Sequence, residues 1–267
     1  MKKLFYFISA LMLLNVSCKK DDRPSNGKSG VDGRIPIPEA VDLGLPSGLK
    51  WASFNLGASK PEEYGDYYAW AETQTYYSSL EFEIIDEARA IWEITWKDDK
   101  TAGYSWGSYQ YCKYGNPTCL TKYSLSAEFS FWDGEGPPDG KKVLDLTDDA
   151  AHVNLGGNWR IPTDAEWTEL LTNCTWAWTS QNGVDGYSVT ATNGNSIFFP
   201  FAGYLGEDPW GVEVSYSGHY WSSSLNTDVA EAGYNRYALC VELYLPSYVD
   251  RGGAARFYGY SVRPVTE

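Results

Sequence analysis

N-W-R-I-P-T-D-A-E-W-T-E-L-L-T-N-C, residues 158–174, holds a helix start and a helix face in one short run. Thr163 and Glu166 have the T-x-x-E spacing of a capping box, in which each side chain satisfies an N–H that the first helical turn leaves open. Trp167, Leu170, Leu171 and Cys174 follow at i, i+3, i+4 and i+7, so they share one helix face. Pro162 ends the segment before it, and Arg160 is placed to pair with an acid. These residues predict a helix of about three turns, capped by Thr163 and anchored through Trp167.

On either side of this run the periodicity changes. D-D-A-A-H-V-N (148–154) reads as a short helix with Asp148 and Asp149 near its positive end. From 175 onward, S-I-F-F-P-F-A-G-Y, Y-W-S-S-S-L, Y-A-L-C-V-E-L-Y and F-Y-G-Y-S-V-R-P-V are β-branched or aromatic runs between turns, as strands are. Upstream, 36–56 alternates short apolar pieces with Gly and Pro, and 61–73 is an aromatic, acidic loop. In 81–97, Ile84, Ile85, Ala88, Ile91, Trp92 and Thr95 fall near helical spacing and predict an amphipathic helix. No period of about 20 to 50 residues repeats, which argues against a solenoid or propeller. The expected class is α+β, with antiparallel strands concentrated late in the chain.

The first residues speak to location. Lys2 and Lys3, an apolar run from Leu4 to Leu14, and N-V-S-C ending at Cys18 follow the order of a signal peptide. L-N-V-S-C resembles a lipobox, with Asn15 where Leu is usual. Residues 1–17 are therefore expected to be a leader, Cys18 to carry lipid (palmitate among its acyl chains), and 18–35 to be a flexible polar tether. Asp21 and Asp22 resemble the acidic export signal of Bacteroidetes lipoproteins. They point to an outer-membrane lipoprotein exposed on the cell surface, with a periplasm-facing placement as the alternative.

Composition narrows the partners. The 267-residue chain carries a net charge of −14, and removing Lys2 and Lys3 with the leader takes it to −16. That opposes nucleic-acid binding, which needs a basic footprint. Twelve Trp and 21 Tyr supply amphipathic rings enough for both a core and a binding face. With Cys18 lipidated, Cys112, Cys119, Cys174 and Cys240 remain, an even number that allows three disulfide connectivities. A Cys112–Cys119 bridge would close a small loop around Gly115, Asn116 and Pro117. C-x6-C is not a zinc spacing, and His152 and His219 show no paired arrangement.

Several separated blocks share a resemblance. V-D-L-G-L-P-S-G-L-K-W-A, N-L-G-A-S-K-P-E-E-Y-G-D-Y-Y-A-W-A-E-T, L-D-L-T-D-D-A-A-H-V-N-L-G-G-N-W-R-I-P-T-D-A-E-W-T-E-L, G-H-Y-W-S-S-S-L and G-Y-S-V-R-P-V resemble, in order, the Fibrobacter succinogenes major paralogous domain family. The resemblance covers roughly 38–267, within a domain spanning 36–267, and leaves 76–102 as a helical insertion. That family is similar to formylglycine-generating enzymes and C-type lectins, and W-R-I-P-T-D-A-E-W resembles the R-L-P-T-E-A-E-W segment of the former. The resemblance implies an α+β, C-type-lectin-like domain and no assigned reaction.

Site chemistry follows from what is present. An oxidase of the formylglycine type needs a poised thiol pair, and only Cys240 lies in the closing strands. No G-x-S-x-G or H-E-x-x-H occurs. Asp133, Glu135 and Asp139 offer oxygen ligands in a Gly-rich loop for a structural Ca²⁺, but EF-hand spacing and the E-P-N or W-N-D triplets of lectin sugar sites are absent. No other cofactor is implied. Trp70, Tyr67, Tyr68, Trp210, Tyr216 and Trp221 lie near loops and strand ends, as aromatics that meet a glycan or a protein do. Trp210, between Pro209 and Gly211, is the leading candidate. The expectation is a non-catalytic surface domain that binds a glycan or surface protein, or forms part of a surface assembly. The alternatives are an enzyme acting on an extracellular polymer and a purely structural lipoprotein.

Overall fold

The computed structural model describes residues 35–77, 103–117, 119–125, 138–207, 214–228, 235–245 and 248–267, and the backbone alone of 26–27, 79–86 and 91–96. The leader, Cys18, Asp21 and Asp22 lie outside these residues.

The described chain is mostly β, with two α-helices and 36% strand. Its strands are β1 (Asn26–Gly27), β2 (Ala40–Asp42), β3 (Lys50–Ala52), β4 (Tyr67–Tyr68), β5 (Ser79–Asp86), β6 (Ile91–Trp96), β7 (Cys174–Gln181), β8 (Val184–Ala191), β9 (Ser196–Pro200), β10 (Ser217–Leu225), β11 (Tyr237–Tyr244), β12 (Tyr248–Ala255), β13 (Tyr260–Ser261) and β14 (Val265–Thr266). The helices are α1 (Ala150–Leu155) and α2 (Asp164–Asn173). The largest sheet runs β12-β11-β10-β13-β4, and β7-β8-β9 and β14-β3-β2 form three-stranded sheets. Val265 pairs with Trp51, and Arg160 bridges to Val265 from the run before α2.

The helix expected over 81–97 is corrected. Strands β5 and β6 form an antiparallel hairpin there, and β1, two residues of the expected tether, adds to its edge. The register sets Leu80, Phe82 and Ile84 opposite Trp96, Ile94 and Trp92, and Glu81 and Glu83 opposite Thr95 and Glu93. This is an alternation of period two in residues with high strand propensity. The same Ile and Trp positions happen to satisfy helical spacing, which is why that expectation failed.

Around α2 the local sequence acts as its residue types dictate. Thr163 Oγ1 accepts from Glu166 N, and the Glu166 carboxylate accepts from Thr163 N at 2.7 Å. The same carboxylate takes two hydrogen bonds from Arg160. Trp167 and Leu170 are buried on the helix face that packs on β10 and β11.

Asp149 caps α1, with Oδ1 accepting from His152 N at 3.0 Å and Oδ2 from Ile161 N at 2.8 Å. Burial pushes its carboxyl up to about 6, and these N–H donors only partly oppose the shift. The folded state then holds a proton between about pH 4 and 6 that the unfolded chain has released, so this group's contribution falls as pH rises through that window and is flat above it. The expected loss is about 2–3 kcal/mol. Urea unfolding of wild type and Asp149→Asn across pH 4 to 7.5 checks this. The stability of wild type relative to Asp149→Asn should fall by that amount as pH rises through the window, and a pH-independent difference contradicts it.

The core is aromatic: two indoles donate to its central strand β10, and a third donates from β10 to β4. Trp167 Nε1 donates to Trp221 O at 3.2 Å, Trp70 Nε1 to Ser222 O at 2.8 Å, and Trp221 Nε1 to Tyr68 O at 2.7 Å. Two arginines are fully enclosed and donate to backbone carbonyl, amide and phenol oxygens. Arg256 sits over the rings of Trp70, Tyr109 and Tyr123 and donates to the carbonyls of Lys122, Tyr123 and Asn235 and to Tyr109 Oη. Arg263 lies over Phe199 at 4.2 Å. No helix among the described residues is long and apolar enough to cross a membrane.

Candidate functional site

Strand β7 lies at the edge of its sheet, and residues two apart on it share a face. Trp176 and Trp178 therefore project to the same side. Trp178 stands directly across from Tyr187 on β8, and the rings of Trp176 and Tyr187 are 6.1 Å apart. Three residues of α2 at i, i+3 and i+4 (Thr168, Leu171 and Thr172) form a second wall, and Val249, Asp250 and Arg251 of β12 form a third. Together they enclose an open cleft of about 510 Å³, within the ~300–1,000 Å³ range of small-molecule sites.

Each wall has a reason for its position. The Trp176 ring packs 5.3 Å from Phe199, which anchors the cleft floor to the core. Tyr187 is buried, and its hydroxyl donates to Tyr244 O at 3.1 Å. Trp178 is 50% exposed, so its indole face is open to a ligand. Arg251 Nη1 donates to Asp164 Oδ2 at 2.8 Å and to Thr168 Oγ1 at 2.6 Å, which ties β12 to the start of α2. Asp250 accepts from Tyr248 Oη at 3.1 Å and from Arg251 N at 2.7 Å. The cleft thus presents an aromatic platform edged by a carboxylate and a guanidinium.

One buried group in this wall is unsatisfied. Trp176 Nε1 is enclosed and has no hydrogen-bond acceptor among the described residues. Native structures leave few buried donors unpaired, since each costs roughly 1–3 kcal/mol. Here that cost falls on a residue that lines the cleft.

The aromatic candidates named from sequence are largely corrected. Trp70, Tyr67, Tyr68 and Trp221 are core residues, each 2% exposed or less. Tyr216 is 46% exposed but does not line the cleft. Trp210 lies outside the described residues. Trp176 and Trp178, which the sequence reading passed over, are the tryptophans at the cleft. C-T-W-A-W-T-S-Q carried the signal: two indoles at strand spacing among small and polar residues make a strand with little apolar surface for a second face.

Of the acidic loop, Asp133 and Glu135 lie outside the described residues. Both oxygens of Asp139 accept backbone N–H donors, from Tyr123 at 2.8 Å and from Ser124 at 3.0 Å, so this carboxylate braces a turn. Among the described residues no group of three His, Cys, Asp or Glu side chains is placed to hold a metal ion. The four cysteines carry free thiols. Cys174 closes α2 and Cys240 lies in the core beside Glu242, whereas Cys112 and Cys119 share one hairpin.

No family model, curated protein or solved structure matches this chain.

Proposed function

We propose that this protein is a non-catalytic, surface-displayed lipoprotein domain of C-type-lectin-like fold, and that the cleft between β7, α2 and β12 binds a saccharide. The observation that carries this reading is the half-exposed Trp178 set across from Tyr187, with Asp250 and Arg251 at the rim. A pyranose ring has an apolar C–H face that packs on an indole, and hydroxyl edges that need donors and acceptors together. The cleft supplies both. Asp250 offers acceptors, and the guanidinium of Arg251 has donors beyond the Nη1 already engaged. A lipid on Cys18 and the tether that follows would hold this cleft away from the membrane.

A glycan array probed with the lipid-free chain from residue 19 tests the proposal. Wild type is expected to retain one saccharide class. Trp178→Ala is expected to lose about tenfold or more in affinity for it, and Tyr114→Ala, at an exposed tyrosine elsewhere, to bind like wild type. Retention of no saccharide, or equal binding by Trp178→Ala, would count against the cleft. Release of reducing ends from a bound polysaccharide would move the protein to the alternative class of enzymes.

A further inference from the structure

Strand β7 is a sheet edge without the usual protection. C-T-W-A-W-T-S-Q is eight residues long and holds no charge, proline or glycine. It pairs with β8 from Cys174↔Ala191 to Gln181↔Val184 without a register shift, so no bulge bends it away. Edge strands are ordinarily blunted by one of these devices or by being short, because their open N–H and C=O groups accept another strand. The other edge strands of the described sheets follow that rule. β6 and β12 carry charged residues, β9 ends on Pro200, and β1, β2, β4 and β14 have no more than three residues.

The turn after β7 decides which of its groups stay open. Asn182 (φ 52°) and Gly183 (φ 82°) form the two-residue loop of the β7–β8 hairpin. The residues flanking such a loop exchange both hydrogen bonds, and bonded pairs then alternate along an antiparallel ladder. Gln181, Thr179, Ala177 and Thr175 therefore turn their backbone groups to β8. Ser180, Trp178 and Trp176 direct theirs outward, and no group among the described residues bonds to them there. Trp178 is half exposed, and Thr175, Ala177 and Ser180 are exposed as well.

Residues 175–179 read T-W-A-W-T, a palindrome about Ala177. Two copies of a palindrome pair antiparallel about a two-fold axis with every position matched, as a self-complementary interface requires. Ala177 meets the second copy's Ala177, Thr175 its Thr179, and Trp176 its Trp178. The backbone phase agrees with this register. The tryptophans, whose N–H and C=O point outward, fall at hydrogen-bonded pairs. Ala177, whose groups point inward, falls at a non-bonded pair on the axis. Aromatic and threonine pairs across strands are favourable neighbours. The charge agrees as well: the chain carries −14, so copies repel in general, and an uncharged strand lets them approach with least repulsion.

We propose that β7 pairs with β7 of a second copy, centred on Ala177, and joins the two three-stranded sheets into one. The axis stands perpendicular to the joined sheet, so both clefts open on the same face and the second copy's Trp176 stands beside Trp178. The pairing does not rest on the saccharide reading, because backbone groups and strand sequence carry it. One strand pair is a small interface beside the roughly 1,200–2,000 Å² of a stable dimer, so the population of this dimer rises with concentration.

Cysteine cross-linking and sedimentation of the purified full chain test this. Ala177→Cys places two thiols at a non-bonded pair on the axis, where Cα atoms are about 4.5 Å apart and within disulfide reach. Thr175→Cys, also exposed, leaves its two copies four positions apart along the ladder, roughly 14 Å. Under glutathione disulfide, Ala177→Cys is expected to form a covalent dimer about tenfold or more faster than Thr175→Cys or wild type. Sedimentation of wild type is expected to show a dimer fraction that grows with concentration. Ala177→Glu sets like charges opposite each other and is expected to stay monomeric. A wild-type chain still monomeric at about 0.5 mM, a dimer that survives Ala177→Glu, or equal cross-linking at 175 and 177 would each overturn the proposal.

Discussion

Replacing Arg263 by leucine is expected to destabilise the fold by more than about 3 kcal/mol, among the largest effects a single change can have here. The side chain is fully buried and donates to Asn55 Oδ1 through both Nε (3.0 Å) and Nη2 (2.8 Å), to Ala52 O at 3.3 Å and to Phe198 O at 2.8 Å. Burial pushes its pKa down to about 10, so it stays charged at neutral pH and is solvated by these oxygens and the Phe199 face. Leucine fills part of the volume and satisfies none of the acceptors, and each unpaired buried acceptor costs about 1–3 kcal/mol. Lysine should recover little, because one ammonium cannot reproduce a planar fork that reaches three elements. Urea midpoints of wild type, Arg263→Leu and Arg263→Lys decide this. A leucine variant within about 0.5 kcal/mol of wild type would contradict it.

Trp221→Ala should cost a comparable amount, about 3–5 kcal/mol, through the cavity left by a fully buried indole. Two further interactions go with the ring. Its Nε1 bond to Tyr68 O holds β4 against β10, and its stacking on Tyr260 at 4.4 Å fills the space beneath. Trp221→Phe keeps most of the volume but orphans Tyr68 O, so it should fall between wild type and alanine. The same variant separates two roles for Trp221. As a core residue, Trp221→Phe should bind saccharide like wild type wherever it is folded, and a selective loss of binding without loss of stability would restore the surface role expected from sequence.

What could be read from the sequence was mostly local. The Thr163–Glu166 box and the Trp167–Leu170 face depend on residues within two helical turns, so spacing alone announces them. The late strands were legible for a similar reason, because β-branched and aromatic runs bounded by turns need no knowledge of partners. The hairpin at 79–96 was missed because Ile84 and Trp92 fit helical spacing as well as a strand face, and only strand pairing chooses between the two. The fate of the tryptophans was illegible in a deeper way. Trp70 and Trp221 sit in sequence among Tyr, Ser and Gly, as exposed aromatics do, yet the sheet folds over them and leaves Trp178 outside. Burial of an indole is decided by tertiary packing, and no local pattern reports it. The enclosed arginines were hidden likewise, since their acceptors are carbonyls from distant parts of the chain.

These facts bear on the central claim unequally. The core holds most of the described aromatic residues, so the abundance of Trp and Tyr is weak support for binding. The cleft is the stronger support, because Trp178 is half exposed while the other described tryptophans are buried or partly buried. The direct test is calorimetric titration of the array-selected oligosaccharide into the lipid-free chain, run in parallel on wild type and Trp178→Ala at equal folded fraction. Saturable heat for wild type, reduced about tenfold or more in affinity by the substitution, is the predicted result. Saturable binding with the same affinity in both proteins, or no heat in either, would contradict the assignment of this cleft.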